Sequence, residues 1–295
     1  MFKDRLIGVL DLESTEYNAF TEQHEQMLST LASYIAVALE NSRLYERVAE
    51  GERRLERDLD TAREMQKGLL PAAAPSVPGL DVGFAYQPAR QLGGDFYDFL
   101  PYGDGRFAFV AGDVAGKGTP AALYASLAVG ILRGHVVEHP CEPREMLARV
   151  NAQLLQHRID NRFVAAAFAV YDPRERSLLL ANGGFPRPLL VRDETVVALE
   201  AEGTPLGMLP GIGYDQVRVE LRAGDVIVLC SDGICESSDA GREEFGRRRL
   251  QARLVELAAE PAREIARGLA RAAQHFVADK TREPDDRTVL ALKVV

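Results

Sequence analysis

The sequence predicts an α+β protein, with antiparallel sheets carrying helices on their outer faces and one long helix in front of them. Three observations lead there. Short β-rich runs dominate after residue 78, the later helical stretches come as two pairs instead of one after every strand, and no proline interrupts residues 21 to 70.

Residues 5–13, RLIGVLDLE, alternate weakly and are rich in β-formers, which predicts one strand. Thr21 is the natural N-cap of the next element, with Glu22 in its first turn. Met27, Leu28, Leu31, Ile35, Ala38 and Leu39 then recur at helical spacing. Farther along, Val48, Leu55, Ala62 and Leu69 lie seven apart, with Leu44 and Met65 at the companion heptad position. Gly51 and Asp58 interrupt that seam, so the region reads either as a weak coiled coil or as a solvent-bridging helix packed on its own domain. Pro71, Pro75, Pro78 and Gly79 end the helix and mark the clearest domain boundary.

Beyond the boundary, strands are predicted at 80–86, 106–111, 162–171, 177–181, 189–191, 214–221, 225–230 and 287–295. Helices are predicted at 120–137, 143–157, 243–258 and 261–277.

The balance of 46% hydrophobic and 27% charged residues is that of a folded globular chain. A net charge of −9 argues against a nucleic-acid or anionic-membrane partner. Cys141, Cys230 and Cys235 have neither CxxC spacing nor an even count, so reduced thiols in a cytoplasmic protein are expected. The uncharged apolar run 163–171, taken as the longest, is too short to span a bilayer, and no signal peptide is evident.

Four segments place an aspartate at a strand end or tight turn, most beside glycine. They are Gly93-Gly94-Asp95-Phe96-Tyr97-Asp98, Ala111-Gly112-Asp113-Val114-Ala115-Gly116-Lys117-Gly118, Cys230-Ser231-Asp232-Gly233 and Glu283-Pro284-Asp285-Asp286-Arg287-Thr288. Singly, each is ordinary turn chemistry. Gathered at one end of a sheet sandwich, such carboxylates would repel one another unless cations neutralised them, and oxygen-only ligation suits Mg²⁺ or Mn²⁺.

These segments, together with Thr119-Pro120-Ala121-Ala122-Leu123, Leu206-Gly207-Met208-Leu209-Pro210, Gly224-Asp225-Val226 and Ile234-Cys235-Glu236, resemble in order the bacterial SpoIIE-type branch of the PPM (2C-like) serine/threonine phosphatases. The resemblance covers residues 66–295. It implies a β-sandwich flanked by helices, with a centre of two Mn²⁺ or Mg²⁺ ions in the cleft at its end. By position, Asp113 would bridge the ions beside the Val114 carbonyl, Asp232 and Asp285 would hold one ion, and Asp95 would contribute directly or through water. Asp286 is the fallback if the last turn is shifted by one residue. Asp113, Asp232 and Asp285 are thus the expected catalytic set. The implied reaction is metal-dependent hydrolysis of phosphoserine or phosphothreonine on a protein substrate, such as an anti-sigma-factor antagonist in partner switching. No protein nucleophile is needed, in keeping with the absence of a CxxxxxR loop.

Two departures stand out. Asn182-Gly183-Gly184-Phe185 replaces the family's Asn-Ala-Gly-His-like segment, and no residue matches the phosphate-binding arginine of eukaryotic relatives, Arg90 and Lys117 being weak candidates.

Leu6-Ile-Gly-Val-Leu-Asp-Leu-Glu, Phe20-Thr21-Glu22 and Asn41-Ser42-Arg43-Leu44-Tyr45 resemble the C-terminal end of a GAF sensory domain, one strand and one helix that cannot enclose a ligand. Residues 62–71, AREMQKGLLP, resemble the linker preceding SpoIIE-type domains, which implies dimerisation through the helix. The expected organisation is therefore a GAF-like fragment over 1–45, a helical linker over 46–70 and a phosphatase domain over 71–295. Three other readings compete, one of them a plain structural scaffold with acidic turns. The GGDEF-like Gly93-Gly94-Asp95-Phe96 would suit a diguanylate cyclase, but Phe96 stands where that turn needs an acid and the later aspartates would have no role. A catalytically weak or inactive module acting by partner binding is the remaining alternative.

Overall fold

The computed structural model describes residues 6–157, 159, 162–239, 241–277 and 285–295. The chain divides into two compact units, between Thr61 and Ala62. A single helix, α1 (Glu22–Leu69), contributes to both.

In the first unit, residues 6–14 carry no regular structure, so the expected strand is not formed; Arg5 lies outside the described residues. The reason is physical. A strand needs a neighbouring ladder for its N–H and C=O groups, and here the apolar side chains of Ile7, Val9 and Leu10 instead line a pocket with Ala32, Ile35, Ala36 and Leu39 of α1. Ala36 is the single buried residue among the 48 of α1, and the heptad residues Leu44, Val48, Leu55 and Met65 are all exposed.

The second unit is a sandwich of two five-stranded, wholly antiparallel sheets. One has the order β1 (Leu80–Gln87), β10 (Arg287–Val294), β9 (Val226–Cys230), β6 (Leu189–Arg192), β7 (Thr195–Ala198). The other runs β2 (Phe96–Pro101), β3 (Phe107–Val114), β4 (Val164–Asp172), β5 (Ser177–Gly183), β8 (Gln216–Glu220). Between the sheets lies a core that includes Phe109, Tyr171, Leu178, Leu180, Ile227, Leu229, Leu290 and Leu292, supplied by the alternate residues of each strand.

The opposite faces are covered by helices. Helices α2 (Thr119–Glu138) and α3 (Pro143–Gln156) pack on the second sheet, burying Tyr124, Leu132, Met146, Leu147 and Leu154 against Phe168 and Val170. Helices α5 (Gly246–Leu257) and α6 (Ala262–Phe276) pack on the first, where Ile265, Ala266 and Leu269 meet Val226, Val289 and Ala291. A one-turn helix, α4 (Asp232–Cys235), follows β9. Apart from α4, these are the helices and layers that the sequence predicts.

The reading of apolar runs needs one correction. Helix α2 contains a longer uncharged stretch than residues 163–171, and by length and composition it could cross a membrane. Nine of its 20 residues are instead buried in this unit, which makes it the core helix that covers the second sheet. Residues 163–171 are mostly β4, the central strand of that sheet.

Candidate metal centre

Two antiparallel strand pairs deliver the aspartates. In the second sheet, Phe96 at the start of β2 pairs with Gly112 near the end of β3, so Asp95 and Asp113 flank the same edge of the ladder. In the first, Cys230 at the end of β9 pairs with Val289 of β10, which brings Ser231-Asp232 beside Asp285-Asp286. Glu283 and Pro284 of the last motif lie outside the described residues. Gly233 has a steric reason here: a Cβ on it would sit 2.0 Å from the Asp286 carbonyl oxygen, so a larger residue would force the two turns apart. Gly94 plays the same part on the other sheet. Its Cβ would lie 3.1 Å from the Val114 carbonyl oxygen and 3.5 Å from Asp113 Oδ1, which also shows those two oxygens exposed to the same small space.

Asp95 is buried, and Thr288 Oγ1 donates to its Oδ2 at 2.6 Å. Ser231 ties the neighbouring turn together, accepting from Thr288 N–H at 2.9 Å and donating to the Asp286 carbonyl at 3.3 Å. Asp285 lies at the rim with its Oδ2 2.9 Å from Lys117 Nζ. Asp286 is turned the other way. Its carboxylate accepts from the backbone N–H groups of Ala89 (2.7 Å), Gly94 (2.5 Å) and Asp95 (3.3 Å), so it braces the loop that carries Asp95.

The electrostatics are those of crowded anions. Burial, then the charges of Asp113 and Asp286, raise the Asp95 carboxyl well above its ordinary range. Asp113 is pushed up to about 7 by burial and by Asp232, Asp285 and Asp286, although a hydrogen bond with Asp95 works against the shift. Asp232 is raised by burial and by Asp285, with Lys117 offsetting part of it. Five aspartates from both sheets therefore lie within electrostatic reach of one another. Among the described residues, no three acidic, histidine or cysteine side chains are drawn close enough to form a finished ligand set. The donors are nonetheless all oxygens, the repulsion among them is what a divalent cation relieves, and the space that only a glycine leaves open at Gly94 exposes a carboxylate and a carbonyl together. These residues fit a hard divalent ion.

All the sequence-derived candidates, Asp95, Asp113, Val114, Asp232, Asp285 and Asp286, thus meet at one end of the sandwich. Lys117, a weak phosphate-binding candidate in the sequence, pairs across the site with Asp285. Arg90 is exposed on the loop before β2, with its Nη1 3.7 Å from the position a Gly118 Cβ would take. Phe185 is a core residue, 3% exposed, and Asn182 closes the turn around it through hydrogen bonds to both the Phe185 N–H and C=O. Residues the sequence reading gave no role are Thr288 and Ser231, which hold Asp95 and its turn, and Arg162, whose Nη1 donates to the Ala115 carbonyl at 2.6 Å beneath the Asp113 loop. Ser231 and Thr288 stood inside the quoted motifs, but nothing in their spacing says which carboxylate they serve.

Residues 103–295 match the family model described as stage II sporulation protein E (SpoIIE). The chain belongs to the SpoIIE family. It is similar to the phosphoserine phosphatase RsbU of Bacillus subtilis, with 31% identity over 181 residues, covering 61% of this chain and 53% of RsbU. Protein IcfG of Synechocystis is 27% identical over 235 residues, 70% of this chain and 37% of IcfG. The chain spans about half the length of RsbU and less of IcfG. Among solved structures, the SiaA-PP2C domain of Pseudomonas aeruginosa shares the fold with a TM-score of 0.73 at 22% identity, covering 83% of this chain and 99% of that domain. The RsbU and RsbW domains of a Mycobacterium tuberculosis protein match with a TM-score of 0.67 at 26% identity, covering 77% of this chain and 63% of that one. The two-sheet sandwich with outer helices is therefore the PP2C-type phosphatase fold.

Proposed function

We propose that this SpoIIE-family chain is a cytoplasmic, metal-dependent protein phosphatase that hydrolyses phosphoserine or phosphothreonine on a protein partner, as in partner-switching signalling. The observation that carries the proposal is the convergence of Asp95, Asp113, Asp232 and Asp285 from two sheets to one end of the sandwich, with burial and mutual repulsion raising Asp95, Asp113 and Asp232. The printed activity of RsbU supports the substrate class.

Asp113, the Val114 carbonyl, Asp232 and Asp285 are the residues we assign to two Mn²⁺ or Mg²⁺ ions, with Asp95 contributing directly or through water. Asp285 is preferred to Asp286 because the Asp286 carboxylate is taken up by three backbone N–H groups. When bound, such ions supply an acidified water and neutralise the phosphoryl oxygens. The chain's own residues do the rest. Thr288 and Ser231 fix Asp95 and the turn behind it, Asp286 fixes the loop from Ala89 to Asp95, and Lys117 holds Asp285 at the rim until a cation competes for it. Lys117 stands beside Asp285 and Arg90 near Gly118, where they suit a phosphoryl group. No thiol competes as nucleophile: burial raises the pKa of Cys141, Cys230 and Cys235, keeping all three protonated.

The exposed apolar seam of Leu44, Val48, Leu55 and Met65 supports a homodimer through α1. The GAF-like reading of residues 1–45 also remains a proposal, resting on the sequence resemblance alone.

The test is hydrolysis of a phosphoserine peptide and of p-nitrophenyl phosphate in EDTA, Mg²⁺ or Mn²⁺, for the wild type beside Asp113→Ala and Asp232→Ala. Turnover that requires metal and vanishes in both variants establishes the activity and its central residues. A folded wild type that turns over nothing with either ion, yet binds a partner, establishes the inactive binding module instead.

A further inference from the structure

We propose that Gln66, on the last turn of α1, is a positioning residue for the metal centre: its side-chain amide clamps the backbone of Gly93 and so sets where Asp95 sits. The proposal rests on the phosphatase reading above and adds to it a residue outside the cleft.

The geometry is reciprocal. Gln66 Nε2 donates to the Gly93 carbonyl at 2.7 Å, and the Gly93 N–H donates to Gln66 Oε1 at 3.2 Å, so one primary amide satisfies both polar groups of a buried glycine as a paired strand would. Gly93 itself is sterically enclosed. A Cβ there would lie 2.5 Å from the Tyr86 hydroxyl and 2.8 Å from Asp286 Oδ2. The next two residues, Gly94 and Asp95, are held from the opposite side by the Asp286 carboxylate. The segment 93–95 is thereby gripped between a neutral amide and a carboxylate, and Asp95 inherits its position from both.

The Gln66 contact does not stand alone. Tyr97 donates its hydroxyl to the Pro71 carbonyl at 2.9 Å, and Arg133 of α2 donates to Asp98 Oδ2 and to the Leu69 carbonyl, each at 2.6 Å. Residues 66–71 are therefore tied at three points to the start of β2, and the Gln66 tie is the one nearest a proposed ligand. A Gln66→Glu change keeps size but replaces the donor facing the Gly93 carbonyl with an oxygen. Gln66→Asn keeps the amide but shortens its reach, and serves if the charged variant fails to fold.

The experiment is a calorimetric Mn²⁺ titration of the metal-free full chain, with hydrogen–deuterium exchange across residues 89–98, for the wild type, Gln66→Glu, Gln66→Asn and the surface control Lys67→Ala. We expect both Gln66 variants to bind Mn²⁺ about 10–100-fold more weakly, the range seen when a group supporting a ligand is lost. They should also lose amide protection at 93–95, keep the wild-type KM for a phosphopeptide at saturating Mn²⁺, and differ from Lys67→Ala, which matches the wild type. Wild-type Mn²⁺ affinity and wild-type protection in both Gln66 variants overturn the proposal. A wild type that binds no Mn²⁺ and hydrolyses nothing defeats the phosphatase reading instead, and the exchange data then still decide whether Gln66 orders the segment.

Discussion

The two ends of β9 carry buried carboxylates in opposite circumstances. Just before the strand, Asp225 is 2% exposed and receives a two-toothed grip from Arg192, Nε to Oδ1 at 2.9 Å and Nη2 to Oδ2 at 2.6 Å, with the Arg222 N–H added at 2.7 Å. Burial alone would raise its pKa, but these bonds and the two arginine charges outweigh it and hold the carboxyl below its usual value. Just beyond the strand, Asp232 is raised by burial and by Asp285, and Asp113 and Asp95 are raised with it. The same strand thus ends in one carboxylate for which the chain supplies the cation and in another that shares its site with more anions. A fold keeps crowded, repelling carboxylates at a cost in stability, so the second end is where a function is to be sought.

Replacing an aspartate at the crowded end should separate activity from stability. Asp113→Asn is expected to lower metal-dependent phosphatase turnover by roughly 100-fold or more, since losing even a supporting group costs 10–100-fold. In EDTA, the same variant should melt at or above the wild-type temperature, because a source of repulsion is gone. A large drop in melting temperature in EDTA would show that Asp113 serves the fold and would dissolve the contrast. The ion provides the complementary measurement. Mn²⁺ at about 100 times its Kd should stabilise the wild type by about 2.7 kcal/mol, read as a rise in melting temperature, and should do far less for Asp113→Asn.

The paired end should respond in the reverse sense. Asp225→Asn or Arg192→Leu is expected to cost about 2–3 kcal/mol in denaturant unfolding, below the range for a fully buried broken pair because Arg192 stays 27% exposed, while turnover at saturating metal is unchanged. The sign of the pH effect follows from the lowered pKa. A carboxyl with a folded pKa below its unfolded value, about 3.9, contributes stability that is complete above that value and is lost as pH falls through the folded one. The stability gap between the wild type and Asp225→Asn should therefore be constant from neutral pH down to about 4 and shrink below it. A gap that already narrows between pH 7 and 5 would mean that another group dominates.

How much of this contrast the sequence discloses depends on the range of the interactions. The aspartates are legible because Asp95, Asp113 and Asp232 each stand beside a glycine and Asp285 follows a proline, all next to apolar β-rich runs, β3, β4, β9 and β10, long enough to read. Strand β2 was not read as a strand, since Asp98 interrupts FYDFLP and its partner is Arg133, 35 residues away. The four-residue edge strand β7 was too short, and residues 5–13 had the composition of a strand without a ladder to join. For the last turn the family resemblance favours Asp285 with Asp286 as fallback, and the structure adds what the sequence cannot: Lys117 pairs with Asp285, whereas the Ala89, Gly94 and Asp95 amides occupy the Asp286 carboxylate. The Arg192–Asp225 pair, 33 residues apart, left no local signature at all.

The smallest effect tests whether burial, and not pairing itself, sets the scale of the contrast. Arg253 and Glu256 are three residues apart on α5 and make a 2.6 Å ion pair, as short as the Arg192–Asp225 contact, but their side chains are 44% and 61% exposed. Water already solvates both charges and salt screens them, so the pair contributes little beyond what the separate side chains have in solution. Glu256→Gln is expected to change unfolding free energy by about 0.5 kcal/mol or less, with the change fading further in 1 M NaCl, whereas Asp225→Asn should keep most of its cost in the same salt. Equal costs for the two substitutions would show that distance alone governs these pairs, and the different treatment of carboxylates at the two ends of β9 would then need an explanation other than burial.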